Sequence, residues 1–165
     1  MEGKTEVSSS IVENSPKKGE LVDRINQLWQ GSRLEGKSQV LIDACSTSKV
    51  PDTCVKVLAS QIRFETNYGS TGTGKLYNNL TGIQCKGGSG RNAEANGWSC
   101  KKMVSSSTRV WIVYPTLEDS LRDSARLFIQ GNYQDFFTGG FNICGHVKLW
   151  GTNQCGKIQN YYNQI

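Results

Sequence analysis

The stretch that decides the fold is Ala59-Ser-Gln-Ile-Arg-Phe-Glu-Thr-Asn-Tyr-Gly69. It predicts the end of a helix with an apolar face that runs into a glycine-rich segment. At 100° per residue, Glu65 falls within about 80° of the apolar stripe, which consists of Val55, Leu58 and Ile62. A carboxyl group in a partly desolvated place keeps its proton to higher pH, as a general acid near neutral pH must. From the pattern alone, the alternative is a solvated glutamate at a helix end.

Helical signals lie on both sides of this stretch. Pro51 stands where a first helical position would be, so the helix that carries Glu65 runs from there to about Thr66. Apolar spacing predicts an earlier helix from Glu20 and a second, short one around residues 40–44. Thr116 is placed to cap a later helix, and a further helical segment is expected over residues 133–137. The inward face of the capped helix is predicted to contain Leu117, Leu121, Ser124 and Phe128.

Residues 67–110 are rich in glycine, serine and asparagine, so we expect loops or short β-hairpins there. Residues 110–114 are β-branched and aromatic and predict a short strand, which Pro115 ends. Glycine-rich turns and an aromatic tail are expected after residue 138. The patterns together predict an α+β, mainly α fold, in which a helical domain carries a small Gly-rich β/loop lobe. A cleft between the two would suit an extended ligand.

The 165 residues have a mean hydropathy of −0.47 and a net charge of +5. Residues 1–19 are polar and predict a disordered arm, which leaves residues 20–165 for one domain. No apolar run reaches the ~20 residues of a membrane span, and the first twenty residues lack the apolar stretch of a secretory signal. We therefore expect that the chain leaves the cell by another route or that its signal is absent from this sequence.

Basic side chains are concentrated between residues 85 and 113, a stretch that contains five of them and a single acid, Glu94. Such an excess attracts polyanions, namely nucleic acid, anionic lipid or an acidic cell-wall polymer, and a solvated surface is the alternative. No recognisable nucleic-acid-binding module accompanies the charge, so we expect no nucleic-acid partner. The basic residues are Lys86, Arg91, Lys101, Lys102 and Arg109.

Six cysteines form three pairs of near neighbours along the chain, and local disulfides are the hypothesis that this proximity favours. Disulfides imply an oxidising location, whereas zinc ligation and reduced buried thiols are the alternatives. Zinc is disfavoured because there is no Cys-x-x-Cys and because His146 is the only histidine; we interpret His146 as structural. No metal or cofactor is predicted. The predicted pairs are Cys45 with Cys54, Cys85 with Cys100, and Cys144 with Cys155.

Three segments, taken in order, resemble the glucosaminidase family of bacterial cell-wall hydrolases, glycoside hydrolase family 73. Residues 59–70 are similar to the family's Ala-Gln-Ala-x-Leu-Glu-Ser-Gly-Trp-Gly stretch. Residues 79–84, Asn-Leu-Thr-Gly-Ile-Gln, resemble Asn-Leu-Phe-Gly-Ile-Lys. Residues 111–120 resemble Phe-Arg-x-Tyr-x-Ser, and the residues up to Tyr133 resemble the helix and the Arg-Tyr that follow it in the family.

The resemblance implies a lysozyme-like fold and an endo-β-N-acetylglucosaminidase that cuts β-1,4 bonds in the glycan strands of peptidoglycan. Glu65 would be the general acid, and Tyr133 matches a family tyrosine near the reaction centre. We expect a monomer that is extracellular, periplasmic or phage virion-associated. Four residues are predicted to bind the substrate or to shape and support its cleft: Tyr68, Asn79, Gly82 and Tyr114.

The chain departs from the family pattern at Thr81, Gln84 and Ile112, where the family has Phe, Lys and Arg. It also lacks the strand that often brings the second carboxylate, so Glu94, the only acid in the insertion, is the candidate for that role. Two alternatives stay open. One is a muramidase or lytic transglycosylase on the same fold, and the other is a non-catalytic cell-wall-binding or virion structural module.

Overall fold

The computed structural model describes residues 18–165. The predicted arm lies outside this range except for residues 18 and 19, which open the first helix. The described residues form a mainly helical α+β fold, as predicted, with one two-stranded antiparallel sheet. In chain order the elements are α1 (Lys18–Trp29), α2 (Ser38–Cys45), α3 (Pro51–Thr66), α4 (Gly72–Tyr77), α5 (Gly87–Asn96), β1 (Ser99–Lys101), β2 (Trp111–Val113), α6 (Leu117–Gln130), a 3₁₀ helix (Tyr133–Phe137), α7 (Ile143–Trp150) and α8 (Cys155–Asn163).

The larger lobe is built from the amphipathic faces of α1, α2, α3 and α6. Leu21, Ile25 and Trp29 recur every four residues along α1 and are all buried. The predicted inward face of α6 is confirmed, since its four residues are buried and the helix packs against α2. Thr116 caps α6 as predicted, because its side chain accepts a hydrogen bond from the Asp119 N–H. Each fully buried large aliphatic or aromatic side chain stabilises the fold by roughly 1.5–3 kcal/mol.

Helix α3 begins at Pro51 and ends at Thr66, which confirms the prediction. Proline is tolerated at this first position because first-turn N–H groups have no intrahelical partner. Asn67 ends the helix in a left-handed conformation, with φ 44°, and its N–H bonds back to the Arg63 carbonyl. The helix therefore stops immediately after the turn that carries Glu65, and the chain turns into the small lobe.

All three predicted disulfides are present. They join α2 to the first turn of α3, the segment before α5 to β1, and α7 to α8, in the pairs Cys45–Cys54, Cys85–Cys100 and Cys144–Cys155. Bridges of this kind typically contribute about 2–4 kcal/mol each. They fit an extracellular or secreted protein, since thiols stay reduced in most cytosols. Within residues 18–165, no helix has the length and apolar character needed to cross a bilayer.

The small lobe is more helical than predicted. Residues 67–110 contain α4 and α5, whereas loops or hairpins alone were expected, and this part of the prediction is wrong. Glycine disfavours helix by about 1 kcal/mol relative to alanine, but packing decides here. A Cβ on Gly74 would lie 2.7 Å from Thr66 Cβ and 2.8 Å from Gly69 Cα, so α4 can only approach the end of α3 this closely with glycine. The turns expected after residue 138 are likewise replaced largely by α7 and α8.

Candidate active site

Glu65 lies in the last turn of α3, half-buried, where the larger lobe meets the small one. Burial raises the pKa of its carboxyl above the usual value, and no charged or hydrogen-bonding neighbour among the described residues opposes this shift. The physical cause is desolvation, which disfavours the ionised form. The side chain therefore holds its proton at a higher pH than a solvated glutamate would.

The loop of residues 79–83 passes directly beside this carboxyl. A Cβ on Gly82 would lie 4.0 Å from Glu65 Oε2 and 3.5 Å from Trp111 Cζ3. Gly82 also has a φ of 66°, a left-handed conformation that glycine adopts without strain. The absence of a side chain at this point keeps the space in front of the acid open.

Asn79 holds this loop in place. It is fully buried, and its carboxamide makes three hydrogen bonds of 2.9 Å: it accepts one from the Ile83 N–H and donates to the carbonyls of Ile83 and Ile112. Direct contact with a substrate, as a binding role would require, is not available to this side chain in the structure. Asn79 instead shapes the floor on which Gly82 lies.

Asn79→Ala is expected to destabilise the fold by about 2–4 kcal/mol, because it leaves buried backbone groups without partners and opens a cavity. Urea unfolding monitored by circular dichroism measures the effect. Asn160→Ala, at an exposed position on α8, is the matched control and should change the free energy of unfolding by less than about 0.5 kcal/mol. Equal small effects from both substitutions would contradict the structural role of Asn79.

Thr81, which stands where the family has phenylalanine, has a hydrogen-bonding partner in the structure. Thr81 is buried, and its hydroxyl lies 2.7 Å from the hydroxyl of Ser124 on α6. The neighbouring Leu80 N–H donates to Ser120 on the same helix, at 3.0 Å. The loop is therefore fastened to α6 by hydroxyl groups at the position where the family has an apolar phenylalanine.

An open groove of about 170 Å³ has Gly82 in its lining. Glu65 is not among the described lining residues, but Gly82 lies beside its carboxyl, so the groove and the acid are neighbours. Tyr133, the predicted site tyrosine, is one of its walls. The described residues that line the groove are Gly82, Ile83, Gln84, Lys86, Leu127, Tyr133 and Trp150.

Aromatic side chains form one wall of the groove. The ring centroids of Tyr133 and Trp150 are 4.7 Å apart, and Trp150 Nε1 donates to the Thr81 carbonyl at 3.1 Å. His146 packs behind both rings, with centroid distances of 5.5 Å and 5.4 Å. It is fully buried, with Nε2 2.7 Å from Gln61 Oε1 on α3. The structural role predicted for His146 fits this geometry.

Two tryptophans at the site were not among the predicted site residues. Trp111 lies beside Gly82, and Trp150 lines the groove. Trp111 stands where the family motif Phe-Arg-x-Tyr has its phenylalanine, and this match was a sequence signal that could have identified it as a site residue. Trp150 had none, because it comes 69 positions after its partner Thr81 along the chain.

Tyr114 supports the small lobe from inside. It is 1% exposed, its hydroxyl donates to the buried Asp123 carboxylate, and its ring meets Trp98 edge-on at 4.9 Å. Burial strongly raises the pKa of its phenol. A substrate cannot reach a side chain so enclosed, so Tyr114 has a supporting position and does not contact the ligand.

Tyr68 and Glu94 lie outside the described groove lining, as do Glu65, Asn79 and Tyr114. Tyr68 follows α3 in a left-handed conformation, half-buried against the core of the larger lobe. Glu94 projects from α5 and is exposed. The loop expected around Glu94 is a helix, and the groove lining contains no acidic residue among the described side chains. Neither Glu65 nor Glu94 is among the described residues that line the groove, and no second carboxylate is brought next to Glu65 by this lining.

Among the described residues, the site thus combines a half-buried carboxylic acid without a hydrogen-bonding partner at a helix end with a neighbouring groove that has aromatic and polar walls, an arrangement compatible with the acid-catalysed cleavage of a glycan. The glucosaminidase family model, described as mannosyl-glycoprotein endo-beta-N-acetylglucosaminidase, matches residues 40–165. This chain therefore belongs to the glucosaminidase family, and membership implies a glycoside hydrolase acting on a glycan. No curated protein and no solved structure matches the chain.

Proposed function

We propose that this protein is an endo-β-N-acetylglucosaminidase that hydrolyses the β-1,4 bond after N-acetylglucosamine in peptidoglycan. The observation that supports this proposal most is the Glu65 carboxyl, which is half-buried, has no hydrogen-bonding or charged partner among the described residues, and lies beside Gly82, one of the residues that line the groove. Burial favours its protonated form, which is the form that donates to a leaving oxygen.

In the proposed reaction, Glu65 transfers its proton to the glycosidic oxygen as the bond from that oxygen to C1 breaks. The groove lining offers no second carboxylate among the described residues, so we assign the attack on C1 to the carbonyl oxygen of the substrate's own acetamido group. This is the substrate-assisted route known for some glycosidases. A water molecule then opens the cyclic intermediate, and the ionised Glu65 takes the proton from that water.

Tyr133 is proposed to orient the sugar. Burial raises the pKa of its phenol, so the group is a neutral hydroxyl that can both donate and accept a hydrogen bond. Its ring is fixed by contacts with Trp150 and His146. Gly82 is proposed to let the sugar approach the acid, since even one added carbon would lie between Trp111 and Glu65.

Mass spectrometry of the fragments released from purified peptidoglycan tests the bond that is cut. We expect fragments with N-acetylglucosamine at the reducing end. Anhydro-muramic ends would identify a lytic transglycosylase, and reducing muramic acid a muramidase. If nothing is released while the protein still binds the wall, the non-catalytic alternative is correct.

We further propose that the protein acts as a monomer outside the cytosol.

A further inference from the structure

The groove that is lined in part by Gly82 has one charged residue, Lys86, among its described lining residues. The ion pairs of the described residues all lie elsewhere, and Lys86 takes part in none of them. Lys86 is exposed, so its ammonium group is available to a ligand. A lone cation in a groove without acids attracts negative charge.

The backbone fixes the side of the segment on which Lys86 lies. The Cys85 N–H donates to the Val110 carbonyl at 2.8 Å, and Gln84 forms an isolated bridge with Trp111. The Cys85–Cys100 disulfide ties the same point to β1. Residues two apart in an extended segment share a face, and Gln84 and Lys86 both line the groove.

Gln84 adds a second polar group to this face. Its Oε1 atom is buried and has no hydrogen-bond partner within the described structure. Buried polar atoms are usually partnered. Gln84 lines the groove, and no described residue makes a hydrogen bond with its carboxamide oxygen, so its NH₂ group is a donor that a ligand in the groove can use. An ammonium and an amide donor two residues apart form a natural pair of contacts for a carboxylate.

We propose that Lys86, assisted by Gln84, makes this groove selective for glycan strands that carry a carboxylate, by pairing with that carboxylate beside the bond that Glu65 cleaves. The proposal rests on the proposed function and names the substrate feature that the site would recognise. Two sources supply this chemistry in peptidoglycan: the free lactyl group of a muramic acid without its peptide, and the acidic residues of an attached peptide stem.

Binding of three tetrasaccharides to the Glu65→Gln variant, which is expected to leave them uncut, tests the proposal by calorimetry. The ligands are the neutral chitin oligomer, a muramic-acid-containing oligomer without peptides, and the same oligomer with peptide stems. We expect one or both acidic ligands to bind up to about fivefold more tightly than the chitin oligomer, the upper end of the range for a solvent-exposed ion pair. The preference should shrink as salt is raised.

Adding Lys86→Met should remove this preference and leave binding of the chitin oligomer unchanged, which also shows that the variant is folded. Lys75→Met is the matched control, because Lys75 is exposed on α4 and does not line the groove; it should keep the preference. Whichever of the two acidic oligomers binds more tightly identifies the source of the carboxylate.

Equal binding of all three ligands before Lys86 is changed, or a preference that survives Lys86→Met, would overturn this inference alone. Failure of every oligosaccharide to bind would overturn both this inference and the proposed function.

Discussion

Glu65→Gln is expected to abolish cleavage of peptidoglycan while leaving the protein folded. Glutamine keeps the shape of the side chain but has no acidic proton to donate, and general acid catalysis contributes about 10²–10⁴-fold in rate. Clearance of a cell-wall suspension measures the activity, and thermal unfolding measures the stability.

The stability of this variant provides a separate check on the burial of Glu65. Desolvation raises the pKa of Glu65 in the folded protein above its usual value of 4.5. The stabilising contribution of the protonated form is therefore complete below pH 4.5 and is lost as the pH rises through the folded-state pKa. Glutamine does not ionise, so at neutral pH Glu65→Gln should be at least as stable as the wild type. A marked loss of stability at pH 7 would contradict this account.

Glu94→Gln is the informative comparison for activity. Glu94 is exposed on α5 and is not among the described groove residues, so its substitution is expected to leave clearance of the cell wall at the wild-type level. A loss as large as that of Glu65→Gln would show that Glu94 is the second carboxylate and that the small lobe moves to deliver it.

The activity of the wild type should decline on the alkaline side as Glu65 loses its proton, since only the protonated form can act as the acid. Because burial raises the pKa of this group, the decline should be centred above the pH at which an ordinary glutamate titrates. The pH dependence of kcat/KM for a soluble glycan reports this pKa in the free enzyme.

Acid should destabilise the protein through His146. Burial lowers the pKa of its imidazole from 6.5 to about 3, so the folded state keeps it neutral while the unfolded chain takes up a proton. The stabilising contribution is therefore complete above pH 6.5 and is lost as the pH falls from 6.5 towards 3. Between pH 7.5 and 4.5 the free energy of unfolding should fall by about 3 kcal/mol from this group, at 1.36 kcal/mol per pH unit.

Urea unfolding of the wild type and of His146→Gln at both pH values isolates the contribution of His146 to the free energy of unfolding, because the other titrating groups are common to the two proteins. Glutamine at this position retains a side chain that can bond to Gln61 but does not titrate. The variant should lose less stability on acidification by the stated amount. Equal losses in the two proteins would show that His146 is not the group responsible.

Local signals were sufficient for much of the helical lobe. Pro51 predicted the start of α3 and its apolar stripe the approximate end, and Thr116 predicted the start of α6. Short separations along the chain also predicted the three disulfides. These features depend on neighbours within a few helical turns, so the residues that determine them stand close together in the sequence.

The helices α4 and α5 were not predicted, because glycine propensity indicates loops and only packing overrules it. Gly74 illustrates why packing decides. It lies against Thr66 and Gly69, and no sequence pattern around Gly74 predicts that contact. The burial of Asn79 and Tyr114 was not predicted, for a related reason. A family motif shows which residue types recur, whereas burial shows that these two face the interior.

By itself, the sequence determined the mainly helical class, the helix that ends in Glu65, the cysteine pairing and the family, because periodicity, capping and motif order are written along the chain. Only the tertiary structure decided what surrounds that acid: Gly82 beside it, Trp150 joined to Thr81, and Lys86 as the charged side chain of the groove. The physical reason is that a groove is bounded by side chains from distant segments, and their distances follow from how the helices pack.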